Sequence, residues 1–311
     1  MGKFILKRVA YGIFTIFIII TITFFLIHAV PGDPLTSGGK FLPDEAKAAF
    51  RAKYGLDKPL IVQYGIYMKK LILEGNLGDS LIYIGRSVNQ VIKDHAPVTM
   101  TFGGIAVFFE VVIGIILGIL AAFYRGRWID KSTMILIILG ICIPQFVFAS
   151  LLQYILGVKL GALPIFGWGS AKHIVMPALA LGIGGVAYYC KYMRNSTLSV
   201  VGEDYIMTAR AKGVDGPALV FKHVIRNSII PIITMIGPHL AFIFIGAFVI
   251  EKIFSIPGLG GYYIVAVNDS DYSMILGLTI FVAVLYIISL IIIDILYGII
   301  DPRIRITKGK R

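Results

Sequence analysis

Glu203-Asp204-Tyr205-Ile206-Met207-Thr208-Ala209-Arg210-Ala211-Lys212-Gly213, continued by Val214-Asp215-Gly216-Pro217, makes the rest of the chain intelligible. Acids stand early and bases late, as the helix dipole favours. Gly213 can adopt the left-handed conformation that stops a helix. Asp215-Gly216-Pro217 turns the chain, and Pro217 suits the first position of a new helix. That second helix is expected to reach about Asn227, with Leu219, Val220, His223 and Val224 on one face. Two short helices joined by a tight turn form a knob that can transmit force to a soluble partner. A solvated loop is the bland alternative, and the cap-turn-cap order argues against it.

On both sides of this knob the chain is apolar. Six runs read as membrane spans: Val9–Val30, Val98–Tyr124, Ser132–Leu156, Ile174–Cys190, Ile229–Ile250 and Met274–Ile300. The fourth is short and rich in Ala and Gly, so its edges are the least defined. Charged residues are 15% of the 311, against about 25% in an ordinary soluble domain. Hydrophobic residues reach 58% and the mean hydropathy is +0.87. The excess apolar surface must face lipid, which excludes a disordered chain, a coiled coil and a solvated enzyme. The first run ends in His28-Ala29-Val30-Pro31-Gly32-Asp33-Pro34 without a convincing cleavage site, so it reads as a retained helix.

Basic residues set the orientation. With a cytoplasmic N-terminus, the inside segments 1–8, 125–131, 191–228 and 301–311 hold 17 Lys and Arg, and the short outer loops 157–173 and 251–273 hold 3. This is a positive-inside bias. The net charge of +12 is therefore mostly a topology signal, and no nucleic-acid module is visible. The outer segment 31–97 reads as a small folded cap. One helix starts at Pro43-Asp44-Glu45 and stops at Gly55, a second runs from Leu60 to Leu73 before Gly75, and a third runs from Ser87 to His95, closed by Pro97. Gly114-x-x-x-Gly118 is a place where two helices could approach closely.

Missing motifs narrow the chemistry. There is no Gly-x-x-x-x-Gly-Lys-Ser/Thr loop to cradle a nucleotide and no His-Glu-x-x-His pair. The five histidines are scattered over different segments, and Cys142 and Cys190 lack metal-site spacing. Gly167-Trp168-Gly169-Ser170 resembles a serine nucleophile turn only superficially, with no closing Gly and no evident base. Charges inside spans are costly and so informative. Glu110 stands mid-way along the second span, where it either lines a polar path or bonds a neighbouring helix. Asp294 stands near the cytoplasmic end of the sixth, close in sequence to Arg303 and Arg305, and reads as structural.

The segment Thr208-Ala209-Arg210-Ala211-Lys212-Gly213, followed by Lys222-His223-Val224-Ile225-Arg226-Asn227-Ser228-Ile229-Ile230-Pro231, resembles the coupling motif of ABC importer permeases in its peptide-permease form. Three further blocks agree with that family in order: Ala29-Val30-Pro31-Gly32-Asp33-Pro34, the stretch from Val249 to Gly260, and Asp294-Ile295-Leu296-Tyr297-Gly298-Ile299-Ile300-Asp301-Pro302-Arg303. Tyr54-Gly55-Leu56-Asp57-Lys58-Pro59-Leu60 resembles the first, B-type permease subunit and favours its oligopeptide form. Two departures stand out. The motif's leading Glu falls on Met207 and its first Ala on Thr208, and its Pro falls on Arg226, with a proline only at Pro231.

What the resemblance implies is an all-α polytopic membrane protein with six transmembrane helices, the type I ABC importer permease fold, and a small extracytoplasmic cap after the first helix. Its parts would be 1–30, tail and first helix; 31–97, cap; 98–300, the five-helix permease core with the coupling segment 203–227; and 301–311, a basic cytoplasmic tail. The partners implied are a second homologous permease, two ABC ATPases and an extracytoplasmic peptide-binding protein, within the bilayer of a prokaryotic plasma membrane. No cofactor is implied for this chain; ATP and Mg would sit on the ATPases. Thr208, Ala209, Arg210, Ala211, Lys212, Gly213, Pro217 and His223 are the implied ATPase-coupling residues, Ala209 small so that the helix sits deep in a partner's groove. Glu110 is the pathway candidate. Oligopeptides are the expected cargo, with dipeptides, nickel chelates or oligosaccharides as alternatives. A passive channel would leave the coupling segment unexplained, and an intramembrane enzyme would need paired catalytic groups.

Overall fold

The computed structural model describes residues 2–29, 43–83 and 85–300. The expected outer junction 30–34, the start of the cap at 31–42, and the tail 301–311 with its Asp301-Pro302-Arg303 signature lie outside those residues. Among the described residues the chain is almost entirely helical. It forms two compact units, one of Met1–Thr99 with Pro257–Ile287, the other of Met100–Ile256 with Ile288–Arg311.

The first unit contains α1 (Gly2–Ala29), α2 (Asp44–Tyr54), α3 (Leu60–Glu74), the start of α4 (Val88–Phe123), α12 (Gly260–Asn268) and the start of α13 (Tyr272–Ile300). Glycine ends α2 and α3 as expected. Gly55 has φ 69° and Gly75 has φ 61°, and Leu56 N donates back to Arg51 O at 2.8 Å, the six-to-one closure of such stops. The expected third cap helix differs. Pro97 does not close it, because residues 88–97 are the first turns of α4, which runs straight through the proline. A helix-interior proline costs about 3 kcal/mol. Here Val88, Val91 and Ala96 are buried in one cluster with Leu259, Ala266, Met274 and Leu278, and burial of such side chains at about 1.5–3 kcal/mol each outweighs it. Thr99 Oγ1 accepts from Leu259 N at 3.0 Å in the same region.

Asp271 organises the loop before α4. It is fully buried and caps α13 by accepting from Met274 N at 3.2 Å. It also accepts from Leu81 N at 3.1 Å, Ile82 N at 3.3 Å and Ser80 Oγ.

The second unit is built around α7 (Ala171–Val201), which packs against α5 (Trp128–Cys142), α6 (Gln145–Leu152), α10 (Arg226–Ser228) and α11 (Ile230–Phe254). The expected fourth span, Ile174–Cys190, is thus only part of a 31-residue helix that runs on eleven residues past Cys190. The expected third span is not one rod. It breaks between α5 and α6 with a bend of 106°. Ile143 precedes Pro144 and takes extended backbone, φ −82° and ψ 119°, as the steric clash with the proline ring requires. α6 then continues into a π-helical stretch, Gln153–Lys159. Gln153 Nε2 ties that stretch down, donating to Ile165 O and Ile253 O at 3.1 Å each.

Four helices are long and apolar enough to cross a bilayer alone: Ile5–Ala29, Val88–Phe123, Ala171–Val201 and Tyr272–Ile295. Two bent pairs, Trp128–Cys142 with Gln145–Lys159 and Gly216–Ser228 with Ile230–His239, would make six if each were one span. The close approach expected at Gly114 and Gly118 is present. A Cβ on Gly114 would lie 2.6 Å from Tyr189 Cβ, and one on Gly118 would lie 2.7 Å from both Cys190 O and Met193 Cβ. Only glycine lets α4 and α7 meet at that separation.

Candidate functional site

The knob consists of α8 (Asp204–Ala211) and a second arm that starts at α9 (Gly216–Leu219), passes through a π-helical stretch Val220–Ile225, and ends in α10. Glu203 O accepts from Ile206 N and opens α8, and Thr208 Oγ1 donates to Asp204 O within it. Gly213 has φ +79° and Gly216 has φ +59°, and nothing lies within 4 Å of where a Cβ would stand on either. The turn therefore needs glycine for its backbone, not for lack of room. Gly213 N donates to Arg210 O and Val214 N to Ala209 O, closing the turn.

One side of the knob is sealed from within. Ile206, Ala209, Leu219 and Val224 form a buried cluster, with Val200, Val201 and Val214 packed on it. This corrects the reading of Ala209. Its small side chain closes the hairpin upon itself and offers no surface to a partner's groove. Thr208, Arg210, Ala211, Lys212, Gly213 and Pro217 are exposed, and His223 is half-buried. Met207 and Phe221 are exposed on the same hairpin. Local pattern marks neither as a surface residue, although Met207 stands where the coupling motif has its leading Glu. Tyr205 is exposed beside them, and burial of part of its ring together with the Glu203 carboxylate raises its phenol, keeping it a neutral donor.

The knob is mounted on α7. Ser196 Oγ donates to Ser228 O at 2.9 Å. Two residues earlier, Arg194 grips Asp130 of α5 with two bonds, Nε to Oδ1 at 2.7 Å and Nη2 to Oδ2 at 2.9 Å. Asp130 Oδ2 also accepts from Gly126 N. Such a bidentate pair fixes orientation as well as distance.

Deeper in the unit, Glu110 of α4 meets His239 of α11, with Oε1 2.6 Å from Nε2. Glu110 is 0% exposed and His239 28%. A Cβ on Gly185 would collide with the Glu110 carboxylate, so the glycine of α7 makes room for the acid. The Tyr188 ring stacks on the imidazole at 6.3 Å and 8°, and Tyr189 meets it edge-on at 5.4 Å. Tyr188 also lies 4.6 Å from Tyr192. Glu110 thus does make the helix-to-helix contact, with a partner 129 positions away that no local pattern marks. Asp294 is half-buried in α13, and the arginines paired with it in sequence lie outside the described residues. Ser170 does have a base beside it, His173 Nδ1 at 2.8 Å from Oγ. The pair is at the start of α7, and among the described residues no carboxylate bonds His173, so the dyad lacks an orienting acid. No group of three metal-ligating side chains occurs among the described residues.

Comparisons with known proteins agree with this architecture. The family described as the binding-protein-dependent transport system inner membrane component matches residues 114–306, and the N-terminal family of such membrane components matches residues 1–102. The oligopeptide transport system permease protein OppB of Haemophilus influenzae is 41% identical over 98% of this chain and 100% of its own. OppB of Escherichia coli K12 is 38% identical over the same shares. The dipeptide transport system permease protein DppB of Bacillus subtilis is 38% identical over 99% of both chains. Among solved structures, a chain of the MetNI methionine ABC transporter in inward-facing form superposes with TM-score 0.55, at 15% identity, over 68% of this chain and 96% of that one. A bent-helix bundle around α7, a mounted hairpin at 203–228 and relatives that match end to end have one common explanation: the chain belongs to the inner-membrane permease components of binding-protein-dependent transport systems, the ABC importer permeases.

Proposed function

We propose that this chain is one of two permease subunits of an ATP-driven peptide importer in a prokaryotic plasma membrane. Its termini and the hairpin 203–228 face the cytoplasm and the segment 31–97 faces outward, in keeping with 17 basic residues inside against 3 in the short outer loops. A second permease completes the pathway, two ATPases dock beneath, and a peptide-binding protein delivers cargo. The chain carries no catalytic residue and binds no cofactor; ATP and Mg belong to the ATPases. Oligopeptides are the favoured cargo, supported by relatives named OppB, and the DppB relatives make dipeptides the second reading.

The observation that carries this is the hairpin. Its buried cluster and its bond to α7 make it a rigid lever, and Met207, Thr208, Arg210, Ala211, Lys212, Gly213, Pro217 and Phe221 give it an exposed docking face. A ligand shifts a two-state equilibrium only through contacts that differ between the states. ATP-driven closure of the ATPases would pull on this face, and α7 and α11 would carry the movement to the pathway. Gly213→Val should cost about 1–2 kcal/mol in backbone energy, since φ +79° is unfavourable for a β-branched residue. We expect normal insertion, with weaker ATPase retention or hydrolysis uncoupled from transport. Purified complexes test this through retained ATPase and substrate-stimulated hydrolysis. Wild-type behaviour in every assay would remove the hairpin from the coupling path. Within the bundle, Glu110 contributes to the pathway by holding His239, whose ring is the partly exposed member of the pair.

A further inference from the structure

The depth at which α3 sits can be read from its contacts with α1. Tyr64 Oη lies 2.7 Å from Thr21 Oγ1. The Tyr64 ring meets Phe24 at 5.3 Å and Phe25 at 5.4 Å, and Tyr67 meets Phe24 at 6.0 Å. All three α1 residues belong to its apolar span Ile5–Ala29. Thr21 is eight residues from the end of that span, about 12 Å along the axis, and Phe25 about 6 Å. One leaflet contributes about 15 Å of hydrocarbon. α3 is therefore packed beside α1 at the level of the leaflet where α1 ends.

The opposite face of α3 is uncovered and apolar. Ile61 is 66% exposed, Ile72 70% and Leu73 71%, with Val62 also exposed, and α3 buries none of its residues. With Gly65 and Lys69 these positions share one side of the helix, spaced as i, i+1, i+4, i+8, i+11 and i+12. Lys69 is the one charge on that side, and its long stem lets the ammonium reach the headgroup region. α1 itself exposes Ile18, Ile22 and Leu26 at neighbouring levels. Water would be a poor solvent for so large a patch.

We propose that α3 is an interfacial membrane helix, with Ile61, Val62, Ile72 and Leu73 embedded in the acyl chains of the leaflet where α1 ends. Its length and its apolar face match helices that lie 5–10 Å into the headgroup boundary. The cap would then be anchored to the bilayer, and would move with it when the bundle changes state.

Site-directed spin labelling tests the proposal on the full importer complex in phosphatidylcholine and phosphatidylglycerol vesicles. Cys142→Ser and Cys190→Ala clear the background, and Ile61→Cys and Ile72→Cys carry the label, with Glu45→Cys on exposed α2 as the aqueous reference. We expect free collision with oxygen, and collision with a water-soluble nickel chelate about tenfold below the reference. Nickel collision equal to that at residue 45 would mean a water-facing helix and would overturn the proposal. Exclusion of both reagents would mean protein cover, such as the second permease, and would overturn it too. Should the cysteine variants not assemble, the wild-type complex can be irradiated with a phospholipid bearing a diazirine on its acyl chain. Adducts on residues 60–74 are then expected, and their absence would count equally against lipid burial.

Discussion

Asp271 and Glu110 are both fully buried carboxylates, yet their surroundings differ in kind. Asp271, at the start of α13, accepts from two loop amides, the cap amide of Met274 and the Ser80 hydroxyl. Its two oxygens are satisfied by oriented donors in one place, which is what a structural acid needs. Glu110 has the His239 ring 2.6 Å away, a glycine behind it and aromatic rings around it. Among the described residues the His239 ring, on Oε1, is its one polar contact, and no amide or hydroxyl donor stands beside either oxygen. A buried acid kept in so incomplete a setting is costly, and such costs concentrate at functional positions. Exposure alone does not separate these two residues; the number and direction of donors does.

The comparison can be broken most sharply at Asp271. Asp271→Ala strands at least two buried amides and removes a helix cap, and should destabilise the first unit by about 3 kcal/mol. Thermal unfolding of the purified complex in micelles would read this as a lower midpoint and reduced yield, with Asp271→Asn intermediate. A wild-type midpoint for the alanine variant would mean that Asp271 is no more structural than Glu110.

Arg194→Ala should have the next largest effect. It leaves Asp130 with the Gly126 amide alone and should cost about 2 kcal/mol. Because the pair sits two residues from the bond that mounts the hairpin, hydrolysis should also respond less to substrate. Unchanged hydrolysis with lowered stability would confine Arg194 to packing.

Glu110→Gln should have the smallest effect on stability, below about 1 kcal/mol, since the Gln amide oxygen can still face the His239 ring. Its signature is expected in transport, with uptake of charged peptides changing differently from that of neutral ones in reconstituted vesicles. Equal changes for both would reduce Glu110 to a contact between helices and erase the distinction from Asp271.

Local grammar in the chain was a good guide wherever a single residue settles the backbone. Gly55, Gly75 and Gly213 all adopt positive φ at the stops expected of them. It was a poor guide at proline. Pro97 looked like a stop and is not one, because the helix around it is buried on the cluster of Leu259 and Met274. Pro144 lay inside an apolar run and marks a 106° bend, with Ile143 before it in the extended backbone that the proline ring favours. A proline's effect depends on what packs against its helix, and that is long-range information.

Sequence alone determined the helical class, the hairpin at 203–227 and the glycines at its turn, because hydropathy and backbone sterics are properties of short windows. Tertiary structure alone decided which face of that hairpin is free. Ala209 turned inward and Met207 and Phe221 outward once the two arms closed on Leu219 and Val224. It also brought Glu110 to His239, Arg194 to Asp130 and Tyr64 to Thr21. Each of these joins residues from different helices, and the partner of a polar side chain is set by how whole helices pack, which no local pattern of residues encodes.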